Sequence, residues 1–291
     1  MKSRILIYGV DGFMGALASR AAMRGRIAHV AAGRNIAGVA QHAAALAKEA
    51  GEAIAEPRTF TLGDKARIAA QLDDVGVVVN CMPLDGTDML ALLDACLDTQ
   101  THYIDLTSER AHVAALAAHD EVAKRAKTMV MAGAGFDYAA VDAVAERLAQ
   151  ILRGARAVTI AVKRGAPTLG EAARLVAALG AEGETVKNGQ FGPAKAGERT
   201  LEIDFGDGPE VAHLAPWRGE ATGARHRGTY SSIESYEVLP ERAVRVLEKG
   251  KLAAKLFARG WGVKRLERKL SKGRLSPTAA ELKTGRAAVW G

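Results

Sequence analysis

Gly9-Val10-Asp11-Gly12-Phe13-Met14-Gly15 lies between a predicted strand (4–10) and a predicted helix (14–24). In that setting each glycine has its own task. Gly9 permits the tight turn off the strand, and Gly12 lets the backbone approach a pyrophosphate with no side chain in between. Gly15 lets the helix pack closely on the sheet. Phosphates placed there meet unpaired N–H groups and the positive end of the helix dipole. The turn is therefore expected to hold a dinucleotide. Its spacing is G-x-x-G-x-x-G rather than the common G-x-G-x-x-G.

The end of the second predicted strand decides which dinucleotide. Folds that select NAD place an acid there for the ribose 2′-hydroxyl. Here the run is Ala31-Ala32-Gly33-Arg34-Asn35, with no acid in it. The planar guanidinium of Arg34 suits a 2′-phosphate, so NADP(H) is the expected cofactor, with Gly33, Arg34 and Asn35 beside it. Asp11 brings a carboxylate into a loop meant for negative phosphates. Either it turns away or caps amides of the following helix, or it weakens binding.

His102-Tyr103-Ile104-Asp105 ends another predicted strand on the cofactor's side. Tyr103 and Asp105 share one strand face, which offers a proton donor and a group to orient substrate or ribose. The alternative is structural: Tyr103 packs under a loop, and Asp105 caps a helix beginning near Ser108. Asp137, after a Gly-Ala-Gly-Phe turn, similarly suits a helix cap. Cys81 has no identifiable partner histidine and reads as a small buried hydrophobe. His112 and His119 lie two turns apart on one helix face, too far for one zinc without a third ligand, and the 7 histidines form no metal pattern. A nucleophile elbow and a Walker lysine are both missing.

Positioning these groups falls to an alternation of apolar runs and Ala-rich stretches. Strands are expected at 4–10, 27–33, 75–82, 102–106 and 128–132, and one more at 58–62. Helices are expected at 14–24, 36–50, 87–97 and 110–127. Near-continuous apolar strands separated by helices imply a parallel sheet covered on both faces, a doubly wound α/β fold of the Rossmann type. After residue 153 the rhythm changes. A strand at 157–162 and a helix at 168–179 precede short strand-like pieces at 184–186, 201–205 and 232–238, with Asn188-Gly189 and Asp207-Gly208 as hairpin turns. The expected organisation is a dinucleotide-binding domain over 1–150 and an α+β substrate or dimerisation domain with a mixed sheet over 151–291.

The bulk numbers narrow the function classes. Aromatic residues are only 5% of the chain, against 48% hydrophobic, which argues against an aromatic-lined nucleic-acid surface. The net charge of +7 is concentrated in 241–274, where 12 Lys/Arg stand against 3 Glu. Leu252, Leu256, Val263, Leu266 and Leu270 there could form an apolar stripe beside those cations. Such a helical segment suits an anionic membrane surface or an acyl-carrier protein, or else it is a solvated arm over the second domain. The 2 cysteines are too few for a disulfide framework, no signal sequence precedes the first strand, and no apolar run reaches membrane-spanning length. A reduced, cytoplasmic protein is expected.

Several stretches in order resemble the saccharopine dehydrogenase-like family of NADP-binding oxidoreductases, in its bacterial branch related to trans-acting enoyl reductases. They are YGVDGFMG from Tyr8, AGRN from Ala32, VVNCMP from Val78, CLDTQTHYIDLTSE from Cys96 and MAGAGFD from Met131. EIDFGDGP from Glu202 and Ile233-Glu234-Ser235-Tyr236 continue it more weakly. The resemblance implies a Rossmann domain, then a mixed-sheet domain that helps form the substrate cleft and a homodimer contact, and hydride transfer with NADP(H). It implies that Asn80-Cys81-Met82-Pro83 runs past the ribose and nicotinamide. That agrees with the rule that ligands of open α/β sheets bind outside the carboxyl ends of the strands. Family members commonly carry Thr or Ser at the position of Asp11, and continue beyond the Val-Trp-Gly that ends this chain. A strand is expected from Arg286 to Trp290 with too little chain after it to make a pair. The leading expectation is an oxidoreductase acting on a small or acyl-type substrate. The second is a catalytically weak dinucleotide-binding protein with a regulatory or partner role.

Overall fold

The computed structural model describes residues 2–82, 86–165, 175, 178, 183–220, 223, 228, 230–248 and 277–291. They fall into two compact units. The first holds the described residues up to 107 together with 112–135, and the second holds 108–111 and those from 136 onward.

In the first unit, β1 (Arg4–Tyr8), β2 (His29–Gly33), β3 (Ala55–Thr59), β4 (Val75–Asn80), β5 (His102–Asp105) and β6 (Val130–Met131) pair in parallel in the order β3-β2-β1-β4-β5-β6. This is the doubly wound order, with its reversal between β1 and β4. Both faces are covered, which explains the near-continuous apolar strands. Leu6, Tyr8, Val30, Ala32 and Val78 pack on one side, Ile7, Ala31, Val39 and Leu46 on the other. The helices are α1 (Phe13–Arg24), α2 (Ile36–Ala50), α3 (Lys65–Ala70), α4 (Gly86–Asp98), α5 (Arg110–Ala117, whose first two residues belong to the second unit) and α6 (Asp120–Ala126).

Three local features differ from the sequence reading. The strand expected at 58–62 runs instead over Ala55–Thr59, and Phe60 and Leu62 reach the core from the loop beyond it. The helix α3 carries a single buried residue, Ile68, too little for a periodic signal, and starts on an Asp64 side-chain cap. The single helix expected over 110–127 breaks at His119, whose Nδ1 bonds the Ala115 carbonyl at 2.8 Å.

In the second unit, α7 (Phe136–Ile151) packs on β7 (Ala157–Lys163) through Val141, Ala145, Val158 and Ile160. Residues from 136 onward thus belong to the second unit. The sheet is mixed. β12 (Ser232–Glu237) runs parallel to β7, while β10 (Thr200–Asp204), β11 (Pro209–Leu214), β8 (Gly183–Lys187) and β9 (Gln190–Ala194) join antiparallel. Asn188 and Gly189, at φ 50° and 79°, close the β8–β9 hairpin with the left-handed backbone that Asn-Gly provides. The strand starting near Arg286 does find a partner: β13 (Ala288–Trp290) pairs antiparallel with β7. Two further helices are α8 (Glu241–Glu248) and α9 (Ala279–Thr284). The expected helix over 168–179 lies outside the described residues except for Leu175 and Ala178, which are helical. The apolar stripe from Leu252 to Leu270 lies wholly outside them.

Candidate functional site: the phosphate turn and the strand ends around it

The turn from β1 into α1 has the geometry its glycines require. Gly9 has φ 92°, and a Cβ there would stand 2.3 Å from Met82 Cγ. A Cβ on Gly15 would stand 2.1 Å from the Gly9 carbonyl oxygen, so the helix could not approach the turn. Gly12 is different: the only atom near its missing Cβ is the Gly9 oxygen, at 3.3 Å, and the residue is exposed. It is the N-cap of α1, with no side chain bonded to the helix amides. The start of α1 is thus a bare cradle of N–H donors under the positive end of the dipole. Val10 is buried in the core, Phe13 half-buried and Met14 exposed.

At the end of β2, Gly33 is buried while Arg34 and Asn35 are exposed. Asn35 is spent on α2, its Oδ1 accepting from the Gly38 amide at 3.2 Å. Arg34 borders a cavity of about 140 Å³ with Tyr8, Thr61, Leu62, Gly63, Met82 and Asp88. Tyr8 donates to the Phe60 carbonyl at 2.9 Å, and burial pushes its hydroxyl up to about 12, so it stays protonated. Thr61, Leu62 and Gly63 were not singled out by sequence. The signal for them was their place just past a strand end, and the misplaced strand hid it.

Asp11 does not cap α1. Its carboxylate leans across to the end of β2, where Oδ1 lies 2.9 Å from the position a Cβ on Gly33 would take. Its own Cβ lies 2.9 Å from the corresponding position on Gly38. The stretch Ala31–Asn35 lacks an acid in sequence, but the fold delivers one there.

At the ends of β4 and β5 three buried polar side chains form a chain. Asn80 Nδ2 donates to the Tyr103 hydroxyl at 3.2 Å, and that hydroxyl donates to Asp105 Oδ2 at 3.2 Å. Asn80 Oδ1 also accepts from the Met82 amide at 3.1 Å, fixing the chain after β4. Asp105 Oδ1 accepts from the amides of Thr107 at 3.0 Å and Gly133 at 3.3 Å. It thereby ties the loops after β5 and β6 rather than capping a helix near Ser108. Tyr103 has 0% exposure and sits in the core, with its hydroxyl held well above its ordinary pKa by burial. From this position its hydroxyl supports both Asn80 and Asp105.

Cys81 is half-buried, and desolvation pushes its thiol up to about 12, which leaves it protonated and unreactive. Pro83 lies outside the described residues. Asp137 lies inside the first turn of α7 and pairs with Arg164 at 2.9 Å. Among the described residues no His/Cys/Asp/Glu group could hold a metal ion, and no helix is long and apolar enough to cross a membrane.

Residues 5–133, which carry all of these groups except Asp137 and Arg164, match the family described as Saccharopine dehydrogenase NADP binding domain. Over that stretch, which is less than half of its length, the chain is similar to a saccharopine dehydrogenase NADP-binding domain. That family's description names NADP, and the open Gly12 cradle and the exposed Arg34 that follows β2 fit NADP(H). The fold of the chain is similar to apo saccharopine dehydrogenase (L-Glu forming) from Saccharomyces cerevisiae, with TM-score 0.58 and 16% identity. The match covers 80% of this chain and 54% of the yeast enzyme, so the chain spans about half the relative's length. Looser likenesses include leucoanthocyanidin reductase with NADPH from Vitis vinifera (TM-score 0.35, 15% identity, 45% of this chain and 48% of that one). A short-chain dehydrogenase with NADPH from Sphingobium yanoikuyae scores 0.33 at 17% identity, covering 44% of this chain and 69% of that one. Both are too loose to bear on this chain. No curated protein matches it.

Proposed function

We propose that this chain is an NADP(H)-dependent oxidoreductase, transferring hydride to or from a small or acyl-type substrate. The observation that carries this reading is the uncapped, side-chain-free start of α1 at the reversal between β1 and β4, with Arg34 at the end of β2. When bound, the cofactor supplies or accepts the hydride. Gly9, Gly12 and Gly15 shape the turn, and the first amides of α1 hold the pyrophosphate. Arg34 pairs with the 2′-phosphate. Asn80 fixes Cys81 and Met82, whose backbone lines the path past β4. Tyr103 and Asp105 position these strand ends from within the core. The same reading gives the second unit the substrate-side role and a homodimer contact, a cytoplasmic setting, and carrier-protein or membrane-surface contact through 241–274.

The test is NADPH oxidation in the presence of a panel of carbonyl, imine and enoyl-thioester compounds. Turnover on one class supports the reading and names the substrate class. Stoichiometric NADPH binding with no turnover on any member would instead favour a catalytically weak dinucleotide-binding protein with a regulatory or partner role. The burial of Tyr103, the expected proton donor, is the observation on that side. Failure to bind either NADPH or NADH would remove both.

A further inference from the structure

The end of β2 carries two opposite charges where a dinucleotide-binding sheet normally commits to one. In NAD-selective folds an acid there accepts a hydrogen bond from the ribose 2′-hydroxyl. In NADP-selective folds a cation pairs with the 2′-phosphate instead. Here the last residue of β2 is Gly33, which has no side chain. The space a side chain would enter is taken by Asp11 Oδ1, 2.9 Å from the Cβ position of Gly33. Gly38, at the start of α2, leaves room for the Asp11 Cβ on the other side. Two glycines, one ending β2 and one in the first turn of α2, therefore make the berth for a carboxylate that belongs to the phosphate turn. Arg34 follows Gly33 directly and is exposed.

We infer that Asp11 is the ribose-reading acid of this domain, supplied from the phosphate turn instead of from β2, and that it gives the site affinity for NADH alongside NADPH. This rests on the reading that a dinucleotide occupies the turn. Asp11 accepts from the 2′-hydroxyl when the ribose is unphosphorylated. When a 2′-phosphate is present, Asp11 opposes it and Arg34 offsets that repulsion. The two side chains thus set the ratio of affinities, since specificity is a difference between two binding free energies. The acid cannot be found by reading along β2, because it lies 22 positions before Gly33.

The experiment is equilibrium titration of NADPH and NADH, by quenching of intrinsic fluorescence, into the native protein, Asp11→Asn and Asp11→Ser, with a thermal melt of each. Asp11→Asn is nearly isosteric and keeps the berth filled, so the melting temperature should hold. Losing a charge-assisted hydrogen bond should weaken NADH about tenfold. NADPH should hold or tighten severalfold, because a like charge near its 2′-phosphate is gone. An equal change for both dinucleotides in both variants, with binding retained, would overturn the role of Asp11 and leave the dinucleotide reading standing. A native protein that binds NADPH and shows no NADH affinity would also overturn it. A native protein that binds neither dinucleotide would overturn both.

Discussion

Gly12 and Gly15 sit three residues apart in one turn, yet methyl groups at the two positions meet very different surroundings. At Gly15 the methyl would lie 2.1 Å from the Gly9 oxygen and 2.5 Å from the Gly9 carbon, both backbone atoms that cannot swing aside. Gly15→Ala should therefore cost about 2–4 kcal/mol of stability, read by denaturant unfolding. At Gly12 the methyl meets one atom at 3.3 Å and otherwise open space. Gly12→Ala should melt close to the native protein and lose most of its dinucleotide affinity, because the methyl covers the amides of α1. Asp105 offers a second contrast. Asp105→Ala strands the amides of Thr107 and Gly133 and the Tyr103 hydroxyl, at a cost of about 2–4 kcal/mol, whereas Asp105→Asn should be milder. Burial raises the Asp105 pKa above its ordinary 3.8, so the folded state favours the protonated form. Its stabilising contribution is full below the ordinary value and is lost as pH rises through the raised one. Asp105→Asn should flatten that slope in unfolding measured across the window. At this scale the glycine turn and Arg34 were legible in the sequence, because their chemistry is local. The destination of Asp11 and the burial of Tyr103 were not, since both depend on which strands become neighbours.

The elements themselves followed from pattern wherever a face was buried. β1, β2 and β4 read as apolar runs because both sides of the sheet are covered. α3 and β3 escaped because the helix buries one residue and the strand, Ala-Glu-Pro-Arg-Thr, buries only Ala55. What no pattern shows is the charge cluster that locks the second unit. Arg218 is fully buried, with Nε donating to Glu220 at 2.8 Å, Nη1 to Glu237 at 3.3 Å and Nη2 to the Asp137 carbonyl at 2.6 Å. Arg164 bridges Asp137 and Glu237 at 2.9 and 3.1 Å. The cluster joins the start of α7, the end of β12 and the 215–220 loop, partners too far apart in sequence to be paired by reading. Arg218→Ala leaves the buried Glu220 without its cation and Glu237 with Arg164 alone, and should cost about 3–5 kcal/mol. Combining Arg218→Met with Glu220→Gln should recover part of the loss, because it removes a charge from each side. A double variant no more stable than Arg218→Ala would show that packing, not charge, dominates there.

Over the whole chain, the sequence resemblance and the family match agree on the first unit, and the strand order places its glycine turn at the reversal where dinucleotides bind. The second unit kept its mixed sheet and its Asn-Gly hairpin from the sequence reading, and within it α7 packs with β7. Substrate choice was not legible, since no motif in the second unit ties a side chain to a reacting group. The claim on which everything else depends is that Arg34 and the turn together hold NADP(H). It is tested most directly by titrating NADPH and NADH into the native protein and into Arg34→Ala. The account requires NADPH to bind the native protein and to weaken by tenfold or more in the variant, the loss of a charge-assisted pair worth about 1.5–3 kcal/mol, with NADH nearly unchanged. Equal losses for the two dinucleotides, or a native protein that binds neither, would contradict it.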